Sequence, residues 1–254
     1  MIDLRFHKTK LETGFAAAAF GAAAIVEAIA SRGHANIVVA TGASQFEMLA
    51  ALVGHNEIDW SRVTGFHLDE YINMPATHPA SFRRYLAEHF TGKLPTLGAF
   101  HFVEGDAPDL AAELARLGAL LDRHPIDVMF AGIGENGHLA FNDPPADFET
   151  TDAYRVVELE DRCRRQQFGE GWFPSLEAVP HRAISMTVRR IMSSRVVVLT
   201  VPDQRKADAV RGVVEGPITN LCPASILQRH AACRMFLDPL AASRLSSKPH
   251  AAAL

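Results

Sequence analysis

The sequence predicts an α/β protein: a three-layer, mostly parallel Rossmann-like sheet with helices on both faces. Three observations lead to that class. Short, nearly unbroken apolar runs at 36–40 (NIVVA), 128–131 (VMFA) and 195–201 (RVVVLTV) have the composition of strands buried on both faces. Stretches with helical spacing of apolar residues lie between such runs, and that alternation argues for parallel crossovers. Polar clusters follow the carboxyl ends of the runs, where open α/β sheets bind ligands.

A chain of 254 residues can bury a full core without dividing, so one domain over 1–254 is expected. Charged residues make up 21%, apolar ones 48%, and the net charge is −4. That balance excludes a polyelectrolyte and argues against a nucleic-acid partner, so any bound anion must be held locally. The three cysteines, Cys163, Cys222 and Cys233, have neither CxxC nor Cys/His ligand spacing. This predicts a reducing compartment and no metal.

The first element is an Ala-rich helix over 15–30, FAAAAFGAAAIVEAIA, with its cap near Thr13. It resembles the apolar core of a signal peptide, but Glu12 precedes it, Glu27 interrupts it and the run is short for a bilayer. A buried helix, a cytoplasmic location and no membrane partner are expected. Next comes the strand at 36–40, then Thr41, Gly42, Ala43 and Ser44 leading into helical periodicity over 45–53. Such a turn offers free backbone N–H groups to phosphate, although Ser44 could simply cap the helix.

A second strand at 63–68 closes on Asp69 and Glu70. Neighbours on an extended chain point to opposite faces, so these carboxylates should differ in role while His67 and Asp69 share a face. Ser81 introduces a helix to about Phe90 whose Arg83 and Arg84 read as solvated. A short strand at 100–103 and an amphipathic helix at 109–123 then feed the strand at 127–131.

That strand opens the stretch DVMFAGIGENGHLAFNDPP, 127–145, around which the chain is organised. Glycines just past a strand end allow sharp turning and close approach to a ligand. His138, with Asn136 two residues before it and Asp143 five after, is placed for proton transfer. Beyond a possible strand at 154–157, no regular period fits 161–179, which contains Arg164, Arg165, Gln166, Gln167, Trp172 and Phe173. A lid near 158–180 is expected there. Strands follow at 183–188 and 195–201, and the latter ends at Asp203 to Lys206, opening a helix to about Val213. A lysine in a first helical turn works against the dipole, which suggests an anionic ligand. A helical turn at 225–228, a last strand at 233–237 and a loose tail from about Ala241 complete the chain.

At these residues the sequence resembles the glucosamine-6-phosphate deaminase (isomerase) family, which shares a fold with 6-phosphogluconolactonases and ribose-5-phosphate isomerase. The blocks are ATGAS at 40–44, LDEY at 68–71, HPASF at 78–82, GIGENGHLAFNDP at 132–144, VP with AISMTV around 179–188, QRKADAV at 204–210, and EGPIT followed by SILQRH at 215–230. Their order spans most of the chain. The tail after Gly137-His138 favours deaminases over lactonases.

The resemblance implies conversion of glucosamine 6-phosphate to fructose 6-phosphate and ammonia, on a small phosphosugar and with no cofactor. Asp69 would be the proton-shuttling carboxylate, His138 the ring-opening base, and Asp143 with Asn136 its partners. Thr41, Gly42, Ala43, Ser44, Gly137, Lys206 and one of Arg164 and Arg165 would contact substrate. The chain departs from better-known members, which carry aspartate at 136 and glutamate at 143. The acidic stretch 147–152 replaces the cationic run that binds an allosteric phosphosugar in some members, which implies no activation by N-acetylglucosamine 6-phosphate. Galactosamine 6-phosphate remains an alternative substrate, and a lactonase-like hydrolase or a non-catalytic sensor an alternative function. A homo-oligomer is compatible with the resemblance, without a count.

Overall fold

Side chains alternate across a strand, so a run that is apolar at every position is stable only between two layers. The computed structural model describes residues 1–246. In order, the elements are β1 (Asp3–Phe6), α1 (Lys10–Arg32), β2 (Ala35–Val39), α2 (Phe46–Leu52), β3 (Val63–His67), β4 (Asp69–Tyr71), α3 (Phe82–His89), β5 (Ala99–His101), α4 (Leu110–Arg123), β6 (Val128–Ala131), β7 (Tyr154–Glu158), α5 (Asp161–Gly169), β8 (Arg182–Met186), α6 (Val188–Met192), β9 (Val196–Val201), α7 (Ala207–Glu215) and β10 (Cys233–Leu237).

The central sheet has the order β1-β10-β9-β6-β2-β3-β5, and every pairing in it is parallel. Ile37, Val39, Val128, Phe130 and Val198 pack with α1 and α2. Their neighbours Val38, Met129, Val197 and Leu199 pack with Leu117 and Leu121 of α4 and Val210 and Val213 of α7. The three-layer arrangement thus follows from period-two alternation within apolar runs. From β2 the chain winds outward to β3 and β5, and from β6 it winds the other way through β9 to β10. The order reverses between β2 and β6, and a crevice opens beyond the carboxyl ends of strands at such a point.

Helix α1 lies close because it is built from small residues. A side chain at Gly21 would overlap the ring of Phe130, so the glycine is what lets that ring pack beneath the helix. The cap lies four residues earlier than expected: Thr9 accepts from the N–H of Glu12 (3.1 Å), while Glu12 accepts from that of Lys8 (2.9 Å). Thr13 is inside the helix and donates to the Thr9 carbonyl. The helix runs 23 residues and is long and apolar enough to cross a membrane, so shortness does not argue against a span. Its buried Ala17, Ala18, Ala22 and Ile25 lie in the core facing the sheet.

Several elements differ from expectation for identifiable reasons. Strand β1 is a short edge strand with half-exposed residues and little pattern to see. Between His67 and Asp69 the chain leaves the main sheet, and β4 joins β8 and β7 in a small antiparallel sheet. Residues 161–169 are helical without an apolar period, because the side chains α5 buries include Arg164, Gln166 and Gln167. Arg83 is not solvated: it donates to the Met74 carbonyl (2.6 Å) and to Asp106 (2.7 Å). The expected loose tail is packed where it is described, with Ala241, Ala242 and Leu245 buried against the core. Residues 247–254, also within that expected tail, lie outside the described residues.

Candidate active site

The loops after β2, β3, β6 and β9 meet in one cleft, roofed by α5. Thr41, Gly42, Ala43 and Ser44 form its floor beside α2, with Asp69, His138 and Lys206 around them. Ser44 does not cap α2; Gln45 holds that position, and its side-chain amide donates to Ser44 Oγ (3.0 Å). Among the described residues the buried hydroxyl of Thr41 has no hydrogen-bond partner, which leaves it for a ligand.

Asp69 is 6% exposed. Burial and then the nearby Glu70 charge push its carboxyl up to about 8, so it exchanges a proton near neutrality. Glu70 points away, as strand alternation requires. It accepts from Tyr71 N–H (2.9 Å), Ser81 Oγ (2.8 Å) and Arg83 N–H (2.8 Å), and thereby ties β4 to the start of α3. Burial outweighs these bonds and raises Glu70 to about 7. His67 does not line the cleft with Asp69, and the chain changes sheets between them at Leu68. It is enclosed, accepts from Val103 N–H, and burial lowers its pKa to about 3.

The glycine-rich loop after β6 delivers His138 against bare backbone. The imidazole covers Gly134 so closely that any side chain there would collide with it. His138 Nδ1 lies 2.9 Å from Asp143 Oδ1. Asn136 is not in the cleft; it braces this pair from behind. Its amide donates to Asp143 Oδ1 (3.0 Å) and to Glu160 (2.8 Å), and its carbonyl accepts from His138 N–H (3.1 Å). The N–H of Glu160 donates to Asp143 Oδ2 (2.9 Å). Burial by itself would raise the Asp143 carboxyl, but these bonds, led by the one from His138, bring it below its usual range. Gly137 likewise lies outside the cleft lining.

The segment expected to supply an arginine supplies glutamines instead. Arg164 is buried and donates to the carbonyls of Leu176 (2.9 Å) and Val179 (3.1 Å), which staples the return segment after α5. Arg165 is exposed, and neither arginine lines the cleft. Gln166, Gln167 and Glu170 do, and sequence reasoning missed all three. Gln166 accepts from Glu135 N–H (2.9 Å) and donates to Glu170 (3.0 Å), while Gln167 accepts from the Tyr71 hydroxyl (2.7 Å). Phe82, Phe141 and Arg205 also line the cleft unforeseen; the adjacency of Arg205 to Lys206 was the one signal available.

Lys206 is 6% exposed and, among the described residues, has no carboxylate within ion-pairing distance. Burial lowers its pKa, against the pull of Glu170 and Glu135. A buried ammonium without a fixed counter-ion is a natural anion anchor. The cleft therefore combines a carboxyl that titrates near neutrality, a histidine oriented by a carboxylate, and a cation: two proton-transfer groups and a place for phosphate.

Comparison with known proteins agrees with this chemistry. A profile of the glucosamine-6-phosphate isomerases/6-phosphogluconolactonase family matches residues 9–235. Glucosamine-6-phosphate deaminase of Streptococcus equi subsp. equi is 34% identical over 215 residues, 85% of this chain and 89% of that protein. The deaminase of Streptococcus pyogenes serotype M49 is 36% identical over 216 residues, with the same coverage. Among solved structures, a monomeric glucosamine-6-phosphate deaminase superposes with a TM-score of 0.85 at 29% identity, covering 96% of this chain and all of that one. A 6-phosphogluconolactonase from Shewanella baltica shares the fold, with a TM-score of 0.76 at 20% identity over 94% of this chain and 97% of that one.

Proposed function

The chain belongs to the glucosamine-6-phosphate isomerase/6-phosphogluconolactonase family, and from that premise we propose that it is a deaminase converting glucosamine 6-phosphate to fructose 6-phosphate and ammonia. The observation that carries this reading is the joint presence of Asp69, His138 and Lys206 in one cleft of a chain whose deaminase relatives match along most of its length.

The reaction needs a phosphate anchor and two proton transfers. Lys206 holds the phosphate, with Ser44, the Thr41 hydroxyl and the backbone of the 41–44 turn. His138, its Nδ1–H held by Asp143, keeps Nε2 free to take the proton from the C1 hydroxyl and return it to the ring oxygen as the ring opens. The Asp69 carboxylate then removes the C2 proton and delivers it to C1, while O1 gains a proton and the amine loses one, which turns the aldose into a ketose imine. Water adds to that imine and ammonia leaves. Asn136 and Asp143 are positioning residues, since they act through His138.

Ammonia release from glucosamine 6-phosphate tests the reading, with galactosamine 6-phosphate and 6-phosphogluconolactone in parallel. Ammonia from the first supports it. Ammonia only from the second would change the epimer, and lactone opening without ammonia would overturn the deaminase reading.

A further inference from the structure

Cys163 is a buried group that this mechanism leaves unused. It sits in the first turn of α5, 1% exposed, with its thiol beside the Asp143 carboxylate. A ligand atom from each of His138, Asp143 and Cys163 lies within 4.8 Å of the other two. The sequence shows no metal-ligand spacing, because Cys163 belongs to α5 and only the fold brings it to the loop that carries His138 and Asp143.

The donor set is chemically selective. One imidazole nitrogen, one carboxylate oxygen and one sulfur suit borderline ions such as Zn²⁺ and Co²⁺ and disfavour Mg²⁺ or Ca²⁺. Bonds of about 2.0–2.3 Å to a four-coordinate ion separate neighbouring donors by about 3.3–3.7 Å. His138 Nδ1 and Asp143 Oδ1, now 2.9 Å apart, would need to spread by only a few tenths of an ångström to admit one. A route in exists as well. A second groove, which shares Phe141 with the cleft, reaches Asp143 and is lined by the carboxylates of Asp147, Glu158 and Glu160; its cation, Arg155, is paired with Asp147 (2.6 Å). An acidic mouth of this kind concentrates cations.

We propose that His138, Asp143 and Cys163 form an inhibitory site for a thiophilic divalent cation of the Zn²⁺ class, entered through this acidic groove. On binding, the thiol proton of Cys163 is released to solvent and the ion accepts electron pairs from Sγ, Asp143 and His138 Nδ1. The imidazole proton shifts from Nδ1 to Nε2. A histidine with hydrogen on Nε2 no longer accepts a proton in the cleft, so turnover stops.

The test uses Co²⁺ on chelator-stripped protein, with no substrate present. One equivalent should produce a thiolate-to-cobalt charge-transfer band with the intense visible bands of a four-coordinate site. Cys163→Ala should abolish the thiolate band and weaken Co²⁺ binding at least about tenfold, a loss that even outer-shell changes can cause. Cys222→Ala should retain the band. Cys163→Ser, which keeps a hydrogen-bond donor, replaces Cys163→Ala if that variant does not fold. In ammonia-release assays, Zn²⁺ should suppress the native rate while Cys163→Ala or Cys163→Ser keeps most of its own zinc-free rate. Absence of the band from native protein, its persistence in the Cys163 variant, or equal zinc sensitivity of the two would overturn the proposal. Because the cobalt spectrum needs no turnover, it stands or falls separately from the deaminase reading.

Discussion

His138 Nδ1 lies 2.9 Å from Asp143 Oδ1, and the same carboxylate binds the amide of Asn136 and the N–H of Glu160 at the start of α5. The histidine and the helix that roofs the cleft are thus held by one group. Asn136→Asp would set a third carboxylate against Asp143 and Glu160 in place of a shared donor. Like charges raise the folded-state pKa of the cluster, so the damage grows as pH rises and is relieved on protonation. We expect a loss of about 1–3 kcal/mol near pH 8 and little near pH 4, read as melting temperature at both. Equal losses at the two would contradict this.

Asp69 makes a second prediction. Its carboxyl is pushed up to about 8, so activity that needs the carboxylate should rise with pH toward that value. Removing the neighbouring charge with Glu70→Gln should move the acid limb of kcat/KM to lower pH. Asp69→Asn should reduce turnover by about 10²- to 10⁴-fold while substrate still binds. A native-like rate in that variant would remove Asp69 from the mechanism.

The same shift affects stability. The folded state keeps the Asp69 proton up to about pH 8, whereas the unfolded chain loses it near the ordinary carboxyl value of 3.8. The folded form therefore binds more protons between these values, and stability falls as pH rises through that window. Asp69→Asn should flatten this part of the denaturation profile and melt higher than the native protein at pH 8. An unchanged slope would refute the assignment.

Lys206 should matter for binding and Arg164 for folding. Lys206→Met should lower kcat/KM about 10- to 100-fold, because hydrogen bonds to charged groups contribute about 1.5–3 kcal/mol, and weaken inhibition by inorganic phosphate. Arg164→Ala removes the guanidinium that binds the Leu176 and Val179 carbonyls and should cost about 1–3 kcal/mol of stability. Arg165→Ala, at an exposed position, should stay within about 0.5 kcal/mol. Phosphate protection lost in Arg165→Ala but kept in Lys206→Met would reverse these roles.

The 147–152 stretch bears on regulation. Asp147 caps its own turn and pairs with Arg155, so the segment presents carboxylates to any approaching phosphosugar. Rate curves should be hyperbolic with and without N-acetylglucosamine 6-phosphate. A sigmoidal curve made hyperbolic by that compound would show otherwise.

Much of the fold was legible because it rests on local, periodic signals. The runs at β2, β6 and β9 are apolar at nearly every position, which only a two-sided layer tolerates. Their carboxyl ends carry the polar residues, so Thr41 to Ser44, Asp69, His138 and Lys206 could be assigned to one crevice before their distances were known. The sequence by itself determined this set, since each member is encoded by its place just past a strand.

Only the tertiary structure decided which of the remaining candidates reach the cleft. Gln166, Gln167 and Arg164 are neighbours on one helix, yet two face the cleft and one staples a loop. That helix buries polar side chains through hydrogen bonds to partners far along the chain, such as Tyr71 and Val179. Burial by hydrogen bonding leaves no hydrophobic period in the sequence. The same holds for Glu160 and Cys163 around Asp143: their roles come from contacts between separate segments, which residue spacing does not encode.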